Sequence, residues 1–377
     1  MAFKIPAIYL EVDVALIIAV TNVHCGAGRF GGIVDLPIQR DEYEYPCIYS
    51  SSIKGALKTA LLYAFAKEYN GDYEKARKAV MTLLGPEPES GETFESSIAI
   101  LDAYLLTMPV RSLRGIYAYV TSPLLLKRFV ERVELVTEFS NKHQGASERQ
   151  ASLESKVVML RDRMKKLLEQ AEDLKEDECI CVGDCSGLRI EKLEGEPIIL
   201  IEEVLVKPKS EDKDRNILNV LGLDRPLLVL HDETARYVID RGIIRLTRVR
   251  LRKDTKTVEA GPWTEEYLPT KARLHTLILY KRPPLSESYV RSILNKKEGE
   301  ISAEDYVESL NKLGLLKDKN EIMKLIHSGD YIKANEEIVK ELRKAFKEII
   351  EQHLRNYLIV GGHETIGKGA VKLMLLG

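Results

Sequence analysis

Residues 8–20 constrain the fold more than any other stretch, because every second position is apolar. The even-numbered positions carry, in order, Ile, Leu, Val, Val, Leu, Ile and Val. A period of two predicts a β-strand with one buried face. The strand ends before His24, where a segment rich in glycine and charge begins. A flexible, polar segment directly after a buried strand suggests a loop that approaches a ligand.

A helix is predicted from residue 50 onward, because its apolar residues recur at i, i+3, i+4 and i+7. They are Ile53, Ala56, Leu57, Ala60, Leu61, Ala64 and Phe65. The serines at 50–52 are its candidate N-caps. Further helices are predicted at 72–84, from Pro123, at 150–175 and at 334–352. Strands are predicted near 197–206, 243–252, 272–281, 357–360 and 370–377.

The order of these elements predicts an α+β fold. The chain starts with a strand, a glycine loop and a helix, and it ends with a helix, a strand and a glycine loop. We expect the two ends to meet in one antiparallel sheet with helices on one face. The helix at 150–175 carries a heptad seam, which packs on the body of the protein or on a partner. The seam consists of Leu153, Val157, Leu160, Met164, Leu167, Ala171 and Leu174.

The charge balance restricts the partners. The chain has 56 Lys and Arg against 58 Asp and Glu, a formal net charge of −2. A nucleic-acid site therefore requires a local basic patch. The sequence has no run of 18 uncharged apolar residues, so we expect no membrane contact and a cytoplasmic location. Three cysteines in "CICVGDC", Cys179, Cys181 and Cys185, suggest a zinc site, buried thiols or a disulfide.

Three segments are candidates for binding phosphate. Glycine-rich stretches at 26–32 and 361–369 would let backbone N–H groups approach an anion, although tight turns explain such glycines equally well. Ser51, Ser52 and Lys54 lie at a predicted helix N-terminus, which attracts anions. The basic residues Arg111 and Arg114 stand near Tyr117 and Tyr119. Such interleaving suits a nucleic-acid strand, and a solvated strand face is the alternative.

Few side chains are candidates for catalysis. Asp35 lies between two anion-prone segments, where a carboxylate could hold a divalent metal or act on a hydroxyl group. His24 is either a core histidine or a catalytic group. The stretch "WTEEYLP" offers Glu265, Glu266 and Tyr267 beside the only tryptophan.

Five motifs together resemble a known family. They are "HCGAGRFGGIVDLPIQRD", "YPCIYSSSIKGALK", "PVRSLRGIYAYVTSPLLL", "GPWTEEYLP" and "GGHETIGKGAVKL". They follow the order found in the repeated backbone subunit of Cmr-type (type III-B) CRISPR effector complexes, which belongs to the RAMP superfamily. The resemblance implies a ferredoxin-like, RRM-related palm with helical insertions and a thumb hairpin. It implies one domain over 1–377, with its core at 1–135, 179–283 and 334–377 and insertions at about 140–178 and 284–332.

The resemblance also implies a function. Such subunits form a filament along a guide RNA, beside other subunits of the complex, and cut target RNA with a divalent metal, Mg²⁺ or Mn²⁺. Asp35 matches the cleavage aspartate and tentative metal ligand. His24, Glu265 and Tyr267 match residues around the scissile bond. Lys54 and the loop with Gly361, Gly362 and Lys368 match guide-RNA contacts. The alternatives are a guide-binding scaffold without cleavage and the equivalent subunit of a Csm-type (III-A) complex.

Overall fold

The computed structural model describes residues 5–28, 34–87, 90–143, 150–191 and 195–376. The described strands are β1 Glu11–Ala19, β2 Cys47–Ile48, β3 Ile98–Ile100, β4 Ala103–Arg111, β5 Tyr117–Thr121, β6 Glu178–Val182, β7 Arg189–Ile190, β8 Ile198–Ile201, β9 Val204–Asp212, β10 Leu227–Leu230, β11 Ile244–Leu251, β12 Val258–Tyr267, β13 Arg273–Tyr280, β14 Tyr357–Ile359 and β15 Ala370–Leu375. The described helices are α1 Ser50–Glu68, α2 Tyr73–Leu84, α3 Pro123–His143, α4 Gln150–Ala171, α5 Asn216–Leu221, α6 Asp232–Gly242, α7 Glu287–Leu294, α8 Ala303–Lys312, α9 Lys319–His327 and α10 Tyr331–Glu348.

The two ends of the chain meet in one sheet, as the sequence predicts. The sheet has 13 strands, and its main path runs β14-β15-β1-β13-β4-β5-β10-β6-β9-β8-β7. β1 pairs antiparallel with both β15 and β13. The prediction of a purely antiparallel sheet is wrong, since β10 pairs parallel with β5 and β6 pairs parallel with β9. The strands of these parallel pairs, β5, β6, β9 and β10, all come from the part of the sequence that lies between β4 and β13.

Both faces of β1 are buried, which corrects the prediction of one buried face. Ala15 and Ile17 join a core with α1, α2 and α10, whereas Val14 and Leu16 join a second core with α3 and α4. Helices therefore cover both faces of the sheet, not one. The odd positions escape a pattern analysis because they mix Ala, Ile and an aspartate, and only their distant partners make them buried.

The heptad seam of α4 packs on the body of the protein, as the first alternative predicts. Val157, Leu160, Met164 and Leu167 are at most 4% exposed, and they share a core with Phe129 of α3. Leu153 lies outside the residues whose side chains are described. The cysteines at 179, 181 and 185 are buried and free.

A separate two-stranded hairpin, β11–β12, leaves the large sheet. Its distal part is exposed, including Val249, Leu251 and Val258. Among the described helices, none combines the length and the apolar character that crossing a bilayer requires.

Several connections leave the large sheet on the same side, at the ends of neighbouring strands. β1 ends there at Ala19, which pairs with Val371 near the start of β15. Arg273, the first residue of β13, pairs with Thr107 of β4. The segments that follow β1, precede β13 and precede β15 therefore start or finish side by side. Most of the predicted site residues lie on this side of the sheet.

Candidate active site

The segment after β1 is anchored to β12 at two points. Val23 exchanges two backbone hydrogen bonds with Leu268, each 2.9 Å long. Leu36 donates its N–H to Thr264 and accepts the N–H of Glu266. The described residues on either side of 29–33 are thus anchored along the same strand edge. The described part of this segment includes Gly26 and Gly28, whereas residues 29–33 lie outside the described ranges.

Asp35 stands exposed at the second anchor point. Its Oδ2 accepts the backbone N–H of Thr264 at 2.8 Å, and its own N–H donates to the carbonyl of Thr264 at 3.1 Å. These two bonds fix the carboxylate at the edge of β12. His24 contacts Glu266, two residues along the same strand, so the two attachment points are about 7 Å apart.

His24 has a defined tautomer because of one hydrogen bond. Its Nδ1 lies 2.8 Å from the carbonyl oxygen of Glu266, which can only accept. Nδ1 therefore carries the hydrogen, and Nε2 of the neutral ring keeps its lone pair. A Cβ atom at Gly26 would lie 3.0 Å from Nε2. A side chain at position 26 would therefore crowd Nε2, and His24 as a whole is only 5% exposed.

Glu265 is buried and holds other side chains of the site in place. Its carboxylate accepts hydrogen bonds from Trp263 Nε1 at 2.8 Å and from the Tyr267 hydroxyl, and it pairs with Arg248 at 3.0 Å. Burial alone would raise the pKa of Glu265, but these donors and His363 lower it below its ordinary value. An ionised Glu265 at 1% exposure acts through its neighbours and does not reach solvent.

Tyr267 lies beside both His24 and His363. Burial and the Glu265 carboxylate raise the pKa of Tyr267 to about 12, so its hydroxyl donates. Its ring centroid is 5.5 Å from that of His24, and Lys368 Nζ lies 5.4 Å from it.

The glycine loop at 361–369 packs directly on the backbone of His24. Gly362 donates its N–H to the carbonyl of His24 at 2.9 Å. Gly361 has φ +80°, and a Cβ there would collide with the same carbonyl. Packing against His24 therefore explains the glycine at 361 without a bound RNA. The predicted contacts of Gly361, Gly362 and Lys368 with RNA stay predictions.

The start of α1 is connected to the same loop. Gln39 donates to both Gly26 O, at 3.4 Å, and Ser52 Oγ, at 3.2 Å. The serines do not supply the N-cap, because the helix begins at Ser50 with Tyr49 as N-cap residue and no side-chain cap. Ser51 is exposed, so the structure leaves its hydroxyl accessible.

Lys54 has a structural contact that the sequence did not reveal. Its Nζ donates to Ser96 Oγ at 3.0 Å. Burial lowers the pKa of Lys54, and Lys58 and Lys281 lower it further. Lys281 is buried and pairs with Glu95, so its charge is compensated, and Lys54 and Lys58 supply the positive charge at this place.

Arg111 and Arg114 lie at the turn between β4 and β5, and they do not form a stacking platform with both tyrosines. Arg111 pairs with Glu202 at 2.5 Å, and Arg114 donates to the carbonyl of Arg189 at 2.7 Å. Tyr119 is fully buried, so the predicted interleaving of arginines and tyrosines fails for this residue. Both faces of β5 are covered, since Ala118 and Val120 join one core and Tyr119 joins the other.

Sequence reasoning missed one group, His363, and named Glu266 only as a candidate beside Glu265. His363 lies beside His24, with ring centroids 5.0 Å apart. The only sequence feature that could have pointed to His363 is its place inside a glycine-rich loop. Glu266 is 3% exposed and accepts from Arg40 and Arg245, each at 3.2 Å. These ion pairs tie the loop after β1 to the hairpin.

The chain is similar to proteins of one family. The sequence model of the RAMP superfamily matches residues 16–372. CRISPR system CMR subunit Cmr4 of Saccharolobus solfataricus is 30% identical over 300 residues, which are 76% of this chain and 90% of that protein. CRISPR system Cmr endoribonuclease Cmr4 of Pyrococcus furiosus is 26% identical, over 94% of this chain and 92% of that protein.

The fold has a matching solved structure. A chain in the cryo-EM structure of the type III-B Cmr-beta complex bound to cognate target RNA superposes with a TM-score of 0.60. It is 26% identical, and the match covers 98% of both chains.

Proposed function

Because the chain belongs to the RAMP superfamily, among the Cmr4 subunits of Cmr-type CRISPR systems, we propose that it is a backbone subunit that cleaves RNA complementary to a bound guide RNA. Its partners are then guide RNA, target RNA, copies of itself in a filament and other subunits of the complex. The relatives named above are of the Cmr type, which favours this function over that of a Csm-type subunit.

One observation supports cleavage over a purely structural role. Asp35, His24 and the loop at 361–369 come from distant parts of the chain and meet at one edge of β12. A guide-binding scaffold needs basic groups but not a histidine whose Nε2 lies against a position where glycine avoids crowding it. The relative from Pyrococcus furiosus is itself named an endoribonuclease.

The chemistry that suits these groups is attack by the RNA's own 2′-hydroxyl on the adjacent phosphate. DNA lacks this hydroxyl, so the reaction discriminates between the two nucleic acids. Nε2 of His24 removes the 2′-hydroxyl proton, and the carbonyl of Glu266 stabilises the resulting imidazolium through Nδ1. Asp35 contributes a carboxylate close to the reacting phosphate.

A bound Mg²⁺ or Mn²⁺ stays a prediction, because the described residues do not form a metal site by themselves. Among them, no group of three or more His, Cys, Asp or Glu side chains could hold a metal ion. The Glu265 carboxylate is already engaged by three donors, and Asp35 offers one carboxylate alone. The steps above use only groups of this chain, and chelation of divalent ions in the cleavage assay tests the metal separately.

We also propose that the core of the fold is a ferredoxin-like palm. The elements β1, α1, β4, β13, α10 and β15 follow the β-α-β-β-α-β order of a ferredoxin-like palm. Their strands are neighbours in the order β15-β1-β13-β4, and α1 and α10 contribute to one core. The hairpin β11–β12 is the element that best suits a thumb. The single-domain limits and the two insertions stay predictions.

The test is target-RNA cleavage by the reconstituted complex with Asp35→Ala. We expect cleavage to be lost while assembly and target binding persist, because Asp35 is exposed and the backbone bonds of Asp35 and Leu36 to Thr264 still anchor the segment. Glu298→Ala removes an exposed carboxylate from the α7–α8 connection and serves as the matched control. Cleavage of a DNA target at a comparable rate would contradict the 2′-hydroxyl mechanism. Full activity of Asp35→Ala would remove Asp35 from the active site.

A further inference from the structure

His363 is a second imidazole at the active site, and the steps described so far give it no role. Its Nε2 lies 3.9 Å from Oε1 of Glu265. Its ring centroid is 5.0 Å from that of His24 and 6.0 Å from that of Tyr267. The His363 side chain is 26% exposed, whereas His24 is almost buried. Of the two histidines, His363 is therefore the more accessible to an RNA strand.

The position of His363 is fixed by the backbone of its loop. Its φ of +67° is in the left-handed region, which a residue with a Cβ adopts only at a cost. Its carbonyl accepts the N–H groups of Ile366 and Lys368 at 3.1 and 3.2 Å. The preceding glycines are seated on the carbonyl of His24. The loop thus holds both imidazoles in a constant relation.

The 2′-hydroxyl reaction requires two proton transfers, and one imidazole cannot make both in the same step. A base takes the proton from the 2′-oxygen, and an acid gives one to the departing 5′-oxygen. His24 is arranged as the base through its tautomer. Glu265 faces His363 across 3.9 Å and stabilises an imidazolium there. Burial lowers the pKa of His363, as do His24 and Arg248, while Glu265 opposes them. A lowered pKa makes the imidazolium a stronger acid and leaves a smaller fraction of His363 protonated at neutral pH.

We propose that His363 is a second catalytic histidine, which donates its proton to the 5′-oxygen of the leaving nucleotide. As His24 removes the 2′-hydroxyl proton, the bond from the 2′-oxygen to phosphorus forms and the bond from phosphorus to the 5′-oxygen breaks. The products are a 2′,3′-cyclic phosphate and a 5′-hydroxyl. This inference rests on the proposed RNA cleavage.

The test compares two target RNAs in the reconstituted complex. One is ordinary RNA, and the other has sulfur in place of the 5′-bridging oxygen at the cut site. A thiolate leaves without protonation, so this substrate does not need the acid. His363→Asn is the main variant, because asparagine tolerates positive φ. His24→Asn removes the base, and His327→Asn changes a remote, exposed histidine as a matched control.

We expect His363→Asn to cut ordinary RNA about 10²–10⁴-fold more slowly and to recover most of the wild-type rate on the sulfur substrate. His24→Asn should be slow on both, and His327→Asn should match wild type on both. Normal cutting of ordinary RNA by His363→Asn, or a slow variant that the sulfur substrate does not rescue, would overturn the inference alone. A wild-type complex that cuts no RNA would overturn the proposed function and the inference with it.

Discussion

At the residue scale, His275 shows how a buried base links stability to pH. It is fully buried in β13, with ring centroids 5.2 Å from Phe129 and 6.5 Å from Tyr104. Neither ring nitrogen has a hydrogen-bond partner among the described residues. Burial lowers the pKa of His275 well below its ordinary value of 6.5, and the nearby Arg132 and Arg128 lower it further.

The lowered pKa predicts a loss of stability in acid. Between the ordinary value of 6.5 and the lowered one, the unfolded chain binds the proton and the folded chain does not. The free energy of unfolding should therefore fall as the pH decreases, by at most about 1.4 kcal/mol per pH unit from this residue. His275→Leu should remove this slope without destabilising the protein at pH 7.5. Urea unfolding at pH 7.5 and 5.5 measures both, with exposed His327→Leu as control. An unchanged slope in His275→Leu would assign it to other groups.

Lys54 gives a second prediction at the residue scale. Lys54→Glu should weaken guide-RNA binding and reduce the salt slope of log K by roughly 0.7, because one phosphate contact on a single strand is lost. The positive charges of Lys54 and Lys58 are the reason to expect a phosphate there, since Glu95 compensates the charge of Lys281. Titrations at several salt concentrations measure the slope, and Lys324→Glu, 78% exposed on α9, is the control. Equal slopes for the two variants would show that Lys54 does not contact a phosphate and only bonds to Ser96.

At the scale of elements, α4 is a structural part of the second core. Leu160 and Met164 are fully buried beside residues of α3 and of the sheet. Leu160→Ala should lower the free energy of unfolding by about 2–5 kcal/mol, since it leaves a cavity. Glu169→Ala, on the exposed face, should change it little. Chemical denaturation measures both.

The same helix is predicted to be dispensable for RNA cutting. It lies outside the motifs shared with the family, and its buried face supports the fold. We therefore expect the cleavage rate per assembled complex to be normal in Leu160→Ala below its unfolding temperature. A fully assembled Leu160→Ala complex with cleavage lost would instead connect α4 to the active site.

At the scale of the whole molecule, an ion-pair cluster joins the start of the chain to its end. Asp13 of β1 is fully buried and pairs with Arg343 at 2.6 Å and Lys347 at 3.1 Å, both on α10. Arg343 also pairs with Glu11 at 2.8 Å. Despite its burial, hydrogen bonding and attraction to Asp13 raise the pKa of Arg343, so it stays charged.

Removing one partner of this cluster should be costly. Arg343→Met leaves a buried carboxylate with one partner fewer, and we expect a loss of about 3–5 kcal/mol in the free energy of unfolding. The double variant Asp13→Leu/Arg343→Met should recover part of it, because neither charge then stays buried. Arg291→Met, which breaks an exposed pair with Glu287, should cost less than about 1 kcal/mol. Equal effects of Arg291→Met and Arg343→Met would show that burial of the pair is unimportant.

The sequence by itself determined the elements whose patterns are local. The period of two in β1, the repeat of α1 and the seam of α4 each come from neighbouring residues, and the structure confirms all three. The motifs also identified the family, because long unusual segments in one order are specific. The sequence therefore pointed to Asp35, His24 and the loop at 361–369 as candidates.

Only the tertiary structure decided what covers each face and which side chains meet. The odd positions of β1 are buried because α1, α2 and α10 pack on them and because Arg343, 330 residues away along the chain, pairs with Asp13. His363 became a candidate because Gly361 and Gly362 pack on His24. Tyr119 was lost as an RNA contact because its strand faces the core. Such contacts join segments far apart in the chain, so no local periodicity records them, and burial and charge pairing depend on the partner as much as on the residue.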